Sequence, residues 1–497
     1  MNNIFDKLKN YSDSDYYAFH MPGHKRNLDL MDGTSPYRID ITEIDGFDDL
    51  HHAEGILKEA QERAARVYHA DETHFLVNGS TVGILSAILG TTEKGDSILV
   101  ARNCHKSVYH AIYLNELDPV YLYPKFDTEL GLSIEIDVED VRIALEEHPE
   151  IRAVMIVSPT YDGVVSDIEK IAEIVHEAGC PLIVDEAHGA HFGFDPYFPE
   201  SANVHGADLV INSLHKTLPA LTQTALLHVN GGRVNRRKVK RYLDMLQTSS
   251  PSYILMASID ACIHLLEQTQ MRTHNIFKEY ASHIDTLRKE LKALKHLKII
   301  ETENTERYDR SKFVISVKHA PMSSHELYET LLQKYHLQME MLAGTYVLAM
   351  TTVGDTQEGL DRLKDALLEI DAELDTEFAM KTDDTDLPLS GKQPSLEKVW
   401  TIAEVVNRRD EAQSRQEDPQ EILHFGHPGK VEKRSFEESI GCISLEYAYL
   451  YPPGSPLIVP GERITQEAVE ILHWYQEHDF SIEGLQSEDG IEVWIDG

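Results

Sequence analysis

Cysteine is scarce in this chain: four residues in 497, Cys104, Cys180, Cys262 and Cys442, none of them in a C-x-x-C pair. That spacing excludes a disulfide framework and a cysteine-based zinc site, and a reducing, cytoplasmic setting is expected. No run of about 18 uncharged apolar residues occurs, so no membrane-spanning helix is expected. The first residues, Met1-Asn2-Asn3-Ile4-Phe5-Asp6-Lys7, lack the apolar core of a signal peptide. Basic residues are few: 46 Lys and Arg against 84 Asp and Glu, a formal net charge of −38. Such a balance argues against a nucleic-acid backbone binder and suits small cationic ligands. Internal repeats and low-complexity tracts are absent as well.

The chain is long enough for two or three domains. From residue 57 onward apolar strand-like runs alternate with helix-like ones. Strands are expected at 73–77, 97–101, 120–123, 153–157, 181–184, 209–211 and 224–229. Helices are expected at 57–68, 81–89, 107–117, 138–147 and 168–178. Uninterrupted apolar strands such as Ala153-Val154-Met155-Ile156-Val157 predict a parallel sheet covered on both faces. Residues 253–297 read as helices. Strands at 313–318 and 347–350 around a helix at 324–335 indicate a smaller α+β domain. The expected division is 1–290 for an N-terminal segment and major domain, 291–370 for the small domain, 371–395 for an acidic linker and 396–497 for a C-terminal domain. Residues 371–497 hold 10 basic and 28 acidic residues, a net −18, which reads as a solvated acidic surface.

Ligands in open α/β sheets bind at the carboxyl ends of the strands, and four such ends carry polar clusters. Asn78-Gly79-Ser80-Thr81 joins a strand to a helix: Gly79 lets the backbone approach a ligand, two hydroxyls can donate, and a helix N-terminus attracts an anion. Taken alone, Ser80 or Thr81 reads more readily as a helix N-cap. In Asn103-Cys104-His105-Lys106-Ser107 the imidazole can stack on a flat ring or simply face solvent. Asp185-Glu186-Ala187-His188 follows the apolar strand 181–184, where a carboxylate is partly buried and needs a partner such as a protonated ring nitrogen. The same four letters occur in helicases, but the nearest phosphate-loop match, Gly90 to Ser97, has Asp96 where lysine is required. His188 and His191 lack a third ligand at metal-binding spacing, so no metal site is expected. In Ser213-Leu214-His215-Lys216, a lysine at a strand end forms a Schiff base if burial or nearby cations lower its pKa. An anion cup, a stacking residue, an Asp and a Lys, in that chain order, are what pyridoxal 5′-phosphate requires.

The same residues carry a family resemblance. Met21-Pro22-Gly23-His24-Lys25, Asn78-Gly79-Ser80-Thr81, Arg102-Asn103-Cys104-His105-Lys106-Ser107, Ser158-Pro159-Thr160-Tyr161-Asp162-Gly163, Ser213-Leu214-His215-Lys216, Gln247-Thr248-Ser249-Ser250-Pro251 and Tyr451-Pro452-Pro453-Gly454 resemble the Orn/Lys/Arg decarboxylases over nearly the whole chain. The resemblance implies the aspartate-aminotransferase-like fold (fold type I), with a mostly parallel central sheet and smaller α+β domains. It implies pyridoxal phosphate bound to Lys216, with His215 beside it, Asp185 at the pyridine nitrogen, His105 on the ring and His188 alongside. Gly79, Ser80, Thr81 and Ser213 are expected at the phosphate. Thr248 and Ser250 are expected to reach the cofactor of a neighbouring subunit, which implies a two-fold homodimer. The implied reaction is decarboxylation of arginine or lysine, with ornithine a third option, to an amine and CO2 for polyamine metabolism. Lys216 or His215 is the expected proton donor at Cα. Glu446 is the candidate acid for the substrate's cationic end, although without the resemblance, in a chain with 84 acids, it reads rather as a surface carboxylate on a helix. Tyr451-Pro452-Pro453-Gly454 reads as a rigid turn shaping the pocket wall. The wing domain of longer relatives is expected to be missing, because Pro22-Gly23-His24 falls within the first 25 residues; this looks like a short bacterial form. Another reaction on the same fold, by an aminotransferase or lyase, and a non-catalytic homologue are the rival readings.

Overall fold

The computed structural model describes residues 14–19, 25, 40–128, 130–271, 275–302, 307–377, 394–417, 430–451, 454–478 and 480–495. The Met21–His24 part of the first motif and Pro452–Pro453 lie outside these residues.

The central layer is a seven-stranded sheet. In chain order its strands are β2 (Glu72–Leu76), β3 (Ser97–Ala101), β4 (Asp118–Leu122), β5 (Ile151–Val157), β6 (Leu182–Asp185), β7 (Leu209–Asn212) and β8 (Ala225–Val229). β1 (Tyr17–Phe19) lies elsewhere. The spatial order is β2-β8-β7-β6-β5-β3-β4. β8 runs antiparallel to both of its neighbours, and the other pairs are parallel. Helices α2 (Gly79–Thr91), α3 (Lys106–Leu114), α4 (Val138–Glu147), α5 (Ile168–Glu177) and α7 (Arg236–Leu246) cover one face; α1 (Ile56–Val67) and α8 (Tyr253–Met271) cover the other. The two-residue period of a strand makes this two-sided burial possible. Phe75 and Leu226 enter one core, while their neighbours Leu76 and Leu227 enter the other. Helix starts follow capping chemistry: Asp137 accepts from the Glu139 amide at α4, and Asp167 from the Lys170 amide at α5.

A second layer follows α9 (Ile276–Glu290). Strands β9 (Lys298–Ile299), β10 (Lys312–Ser316), β12 (Met341–Ala343) and β13 (Tyr346–Met350) form an antiparallel sheet in the order β9-β10-β13-β12. Helices α10 (Ser324–Gln333) and α11 (Gln357–Glu377) pack on it. β11 (Leu337–Met339) pairs with β1 in parallel, so residues 17–19 of the expected N-terminal segment pack on the small domain. Tyr17 lies against Gly359, where a Cβ would come within 1.8 Å of its ring, so only glycine admits this contact. The expected linker also starts too early. Residues 371–377 continue α11, and the Asp371 carboxylate accepts from the amides of Lys295, His296 and Leu297.

The C-terminal unit contains α12 (Ile402–Glu417), β14 (Lys430–Arg434), β15 (Ile443–Ser444), β16 (Ala448–Leu450), β17 (Pro456–Ile458), α13 (Gln466–Glu477), β18 (Ile482–Glu483) and β19 (Ile491–Ile495). Its strands form two three-stranded sheets, β14-β19-β15 and β17-β16-β18. Arg102, just past β3, fastens this unit to the major domain. Its guanidinium meets Glu462 in a two-pronged pair, Nε to Oε1 at 3.0 Å and Nη2 to Oε2 at 2.8 Å, with both side chains 1% exposed. It also donates to the carbonyls of Pro456 and Leu457. Arg102→Leu leaves Glu462 as a buried, uncompensated charge. The expected cost is about 3–5 kcal/mol, read from the midpoint of denaturant unfolding; a loss under about 1 kcal/mol, the range of an exposed pair, contradicts it. Among the described residues no helix is long and apolar enough to cross a membrane.

Candidate active site

A cavity of about 560 Å³ opens where β2, β3, β5, β6 and β7 end. The C-terminal unit closes it with Tyr451, Ser455, Leu457 and Tyr475. Ser455 donates to the Asn103 carbonyl at 2.7 Å, and the Gly454 carbonyl accepts from the Lys106 amide at 3.2 Å. Of the expected turn at 451–454, Tyr451 lines the cavity.

One end of the cavity holds the expected anion cup, residues 79–81 and Ser213. Gly79 adopts φ +72° with nothing near its missing Cβ, so its role is conformational: it turns β2 into α2. The cap position belongs to Asn78, whose side chain does not cap the helix. The N-cap alternative for Ser80 or Thr81 therefore falls away, and both sit inside the first turn with their N–H groups lacking an intrahelical acceptor. Ser80 Oγ lies 2.5 Å from Ser213 Oγ, which brings two strand ends together at the cup. Gly79, Ser80, Thr81 and Ser213 all line the cavity.

The middle holds an imidazole and a carboxylate. His105 caps α3, its Nδ1 accepting from the Ser107 amide at 3.3 Å and lying 2.8 Å from the Ser107 hydroxyl. That arrangement leaves the hydrogen on Nε2. Burial, Lys216, Lys106 and His110 push its pKa down to about 3. A neutral ring in a fixed orientation is suited to stacking on a flat ligand. Asp185 is the last residue of β6 and is 4% exposed. Burial raises its pKa although Lys216 and the Ala187 amide oppose the rise, so its carboxylate is most stable beside a cationic partner.

Beneath the sheet ends a buried polar chain supports these groups. Thr73 meets His228 at 2.8 Å, His228 meets Asn212 at 3.0 Å, and Asn212 donates to Glu186 at 3.0 Å. Glu186 faces away from the cavity toward Ser201 and the Ala202 amide. His191 is likewise taken up by Asp309 at 3.1 Å. Among the described residues no group of three His, Cys, Asp or Glu could hold a metal ion.

The remaining end carries Lys216 in the short helix α6 (Leu214–Thr217). Burial lowers its pKa, with Asp185 and Glu340 acting the other way. His215 Nδ1 donates to the Thr224 carbonyl at 2.9 Å, and burial brings its pKa to about 4. His188 lies 3.0 Å from Lys216 Nζ through Nε2 and 3.2 Å from Lys312 Nζ through Nδ1. Lys312 carries no role in the sequence reading. Tyr161 and Asp162 lie in a motif there without assigned roles; Tyr161 donates to Glu340, and Asp162 accepts from the Tyr346 hydroxyl at 2.6 Å.

Three candidates are not brought to this chain's cavity. Glu446 is buried, and its oxygens accept from the amides of Gln486 at 3.0 Å and Glu492 at 2.7 Å. Its carboxylate therefore braces the C-terminal strands instead of facing a substrate, which corrects that expectation for the cavity of its own chain. Thr248 and Ser250 are exposed and line no part of the cavity.

The donor set fits pyridoxal phosphate: a helix N-terminus with hydroxyls for the phosphate, a neutral stacking imidazole, a buried carboxylate and a buried amine. A mostly parallel sheet presenting this set at its strand ends defines the aspartate-aminotransferase-like class of α/β enzymes. Comparison with known proteins agrees. The profile of the Orn/Lys/Arg decarboxylase major domain matches residues 2–338, and that of the C-terminal domain of the same family matches 406–493. The chain belongs to the Orn/Lys/Arg decarboxylase family. It is 35% identical to the uncharacterized protein YaaO of Bacillus subtilis, covering 94% of this chain and 93% of that one. It is 31% identical to an arginine decarboxylase of Bacillus anthracis, covering 97% and 94%. Among solved structures it is similar to the Francisella novicida lysine decarboxylase LdcF, with a TM-score of 0.72 at 18% identity over 90% of this chain and 73% of that one. The chain is thus an amino-acid decarboxylase of the basic-substrate class.

Proposed function

We propose that this chain removes the α-carboxylate of arginine or lysine, with ornithine a third option, using pyridoxal phosphate held on Lys216. The observation that carries the proposal is the convergence of Lys216, Asp185, His105 and the α2 N-terminus on one cavity. Bound pyridoxal phosphate supplies an electron sink for the pair left at Cα when CO2 departs. The chain supplies the rest. The first-turn amides of α2 with Ser80 and Ser213 hold the phosphate. His105 would cover one face of the ring, Asp185 would keep the ring nitrogen protonated, and His188 would flank the ring. Lys216 returns a proton to Cα; His215, the other expected donor, holds its one hydrogen on Nδ1 toward the Thr224 carbonyl. Among the described residues the cavity wall carries two carboxylates, Asp162 and Asp185. With Asp185 used at the ring, Asp162 takes over the part expected of Glu446 and faces the substrate's cationic end.

No arginine lines the cavity among the described residues, which disfavours an aminotransferase clamp on the substrate carboxylate. The test is incubation of the pure protein with arginine, lysine and ornithine, measuring CO2, amine and keto acid. CO2 and amine in equal amounts from one or more of them is the expected result. Keto acid in place of CO2 overturns the reading, as does a protein with neither turnover nor a cofactor absorbance band.

The enzyme is proposed to act in the cytoplasm, as a two-fold dimer, supplying amine for polyamine metabolism. Thr248 and Ser250 are exposed, and His51 ties their segment to residues 40–56 through Asp244 and the Thr248 carbonyl. In those segments Ile44, Phe47, Ile56 and Met245 are 46–67% exposed; such grouped apolar surface suits a subunit contact. Light scattering at pH 7 in moderate salt is expected to give twice 56.4 kDa or a multiple of it. A fully active monomer contradicts the shared site.

A further inference from the structure

His188 stands between two lysine amines, 3.0 Å from Lys216 and 3.2 Å from Lys312. Imidazole chemistry constrains what these three groups can be. The ring is buried, and burial, Lys216, Lys312, His215 and His105 all oppose its protonation. A neutral imidazole has one N–H and one lone pair. The nitrogen with the lone pair accepts from one lysine. The nitrogen with the hydrogen donates to the other, and an ammonium has no lone pair to receive it. With both contacts made, one of the two lysines is an uncharged amine.

The surroundings decide which. Lys312 opens β10 from the small domain and is fully buried. The acids facing it are Asp309 and Glu340, with Asp162 also within reach of its charge. Burial raises Asp309, but His191, Lys312 and the Ser311 contact outweigh it and hold it below its ordinary value, so it is ionised. The acids facing Lys216 are Asp185 and the same Glu340. Asp185 is pushed up by burial. The remaining facing cations are Lys25, which donates to the Met350 carbonyl at 2.7 Å, and Lys106 near His105. The more secure counter-charge is on the Lys312 side.

We infer that Lys312, His188 and Lys216 share protons in one line: Lys312 keeps the charge and donates to His188 Nδ1, His188 carries its hydrogen on Nε2 and donates to Lys216, and Lys216 is left as the free amine. Lys312 is then a positioning residue that acts through His188 and readies Lys216 to bond the cofactor aldehyde, a step that joins N to C and releases water. Burial lowers Lys312 to about 8 despite Asp309 and Glu340, so its charge is lost at alkaline pH. The inference rests on the proposed role of Lys216.

The test is the rate at which the cofactor-free full chain captures pyridoxal phosphate, followed by absorbance across pH. A protonated amine does not react, so the profile reports the charge on Lys216. In the wild type, capture is expected to persist well below the ordinary lysine value of 10.5; a midpoint near that value overturns the inference without any variant. Lys312→Met and Lys312→Gln remove a like charge, which makes protonation of Lys216 easier. Their midpoints are expected to rise by about one unit or more, while Lys312→Arg, which keeps charge and donor, stays near the wild type. Profiles of Met and Gln variants that overlay the wild type overturn the inference, as does an Arg variant that moves with them. Borohydride labelling of wild-type Lys216 separates the two levels: if Lys216 is not labelled, the proposed function fails before the question of Lys312 arises.

Discussion

Lys216→Ala is expected to lower kcat by at least about a thousandfold and to abolish the absorbance band of pyridoxal phosphate bonded to a lysine, leaving only that of cofactor bound as the free aldehyde. The loss combines two roles on one side chain. The amine is the covalent anchor, and it is a candidate proton carrier at Cα, a type of contribution worth about a hundredfold to ten-thousandfold by itself. Alanine at this position leaves α6 and the Ser213 contact to Ser80 in place, so the phosphate cup remains and non-covalent cofactor binding is expected to persist. Circular dichroism and thermal melting should match the wild type while turnover collapses. Activity within about tenfold of the wild type would remove Lys216 from the chemistry.

Asp185→Asn is expected to retain cofactor while activity falls on the order of a hundredfold or more, the scale of a lost preorganised electrostatic contact. The amide has the shape of the carboxylate and can still accept from the Ala187 amide, the contact made at 3.1 Å. What it lacks is negative charge, and charge is what holds a proton on a ring nitrogen. A neutral ring takes up the Cα electron pair poorly, so the effect belongs in kcat more than in KM. Equal activity of the Asn variant and the wild type would show that Asp185 has no cationic partner in the working enzyme.

Much of the frame is legible in the sequence. The run Ser97–Ala101 reads as a strand and is one to the residue, because Gly95-Asp96 and Arg102-Asn103 bound an apolar segment too short for a helix. The strand-end clusters at 78–81, 103–107, 185–188 and 213–216 do meet at one cavity, as the geometry of a parallel sheet requires. What escapes is set by contacts between distant segments. The His188 to Lys312 contact spans 124 positions, and a lysine opening an apolar strand has no local mark of burial. Glu446 looks like a free carboxylate because the amides that occupy it, at 486 and 492, lie 40 and 46 positions away. Asp371 looks like the start of an acidic linker for the same reason: its amide partners are at 295–297. Local charge reports solvation only when tertiary N–H groups are absent.

The most direct test of the account is borohydride reduction of the pure protein loaded with pyridoxal phosphate, followed by peptide mapping. A single pyridoxyl label on Lys216, in the peptide that contains Ser213-Leu214-His215-Lys216, is the result the account predicts. A label on Lys312, on Lys106 or on any other lysine, with Lys216 unmodified, would contradict it.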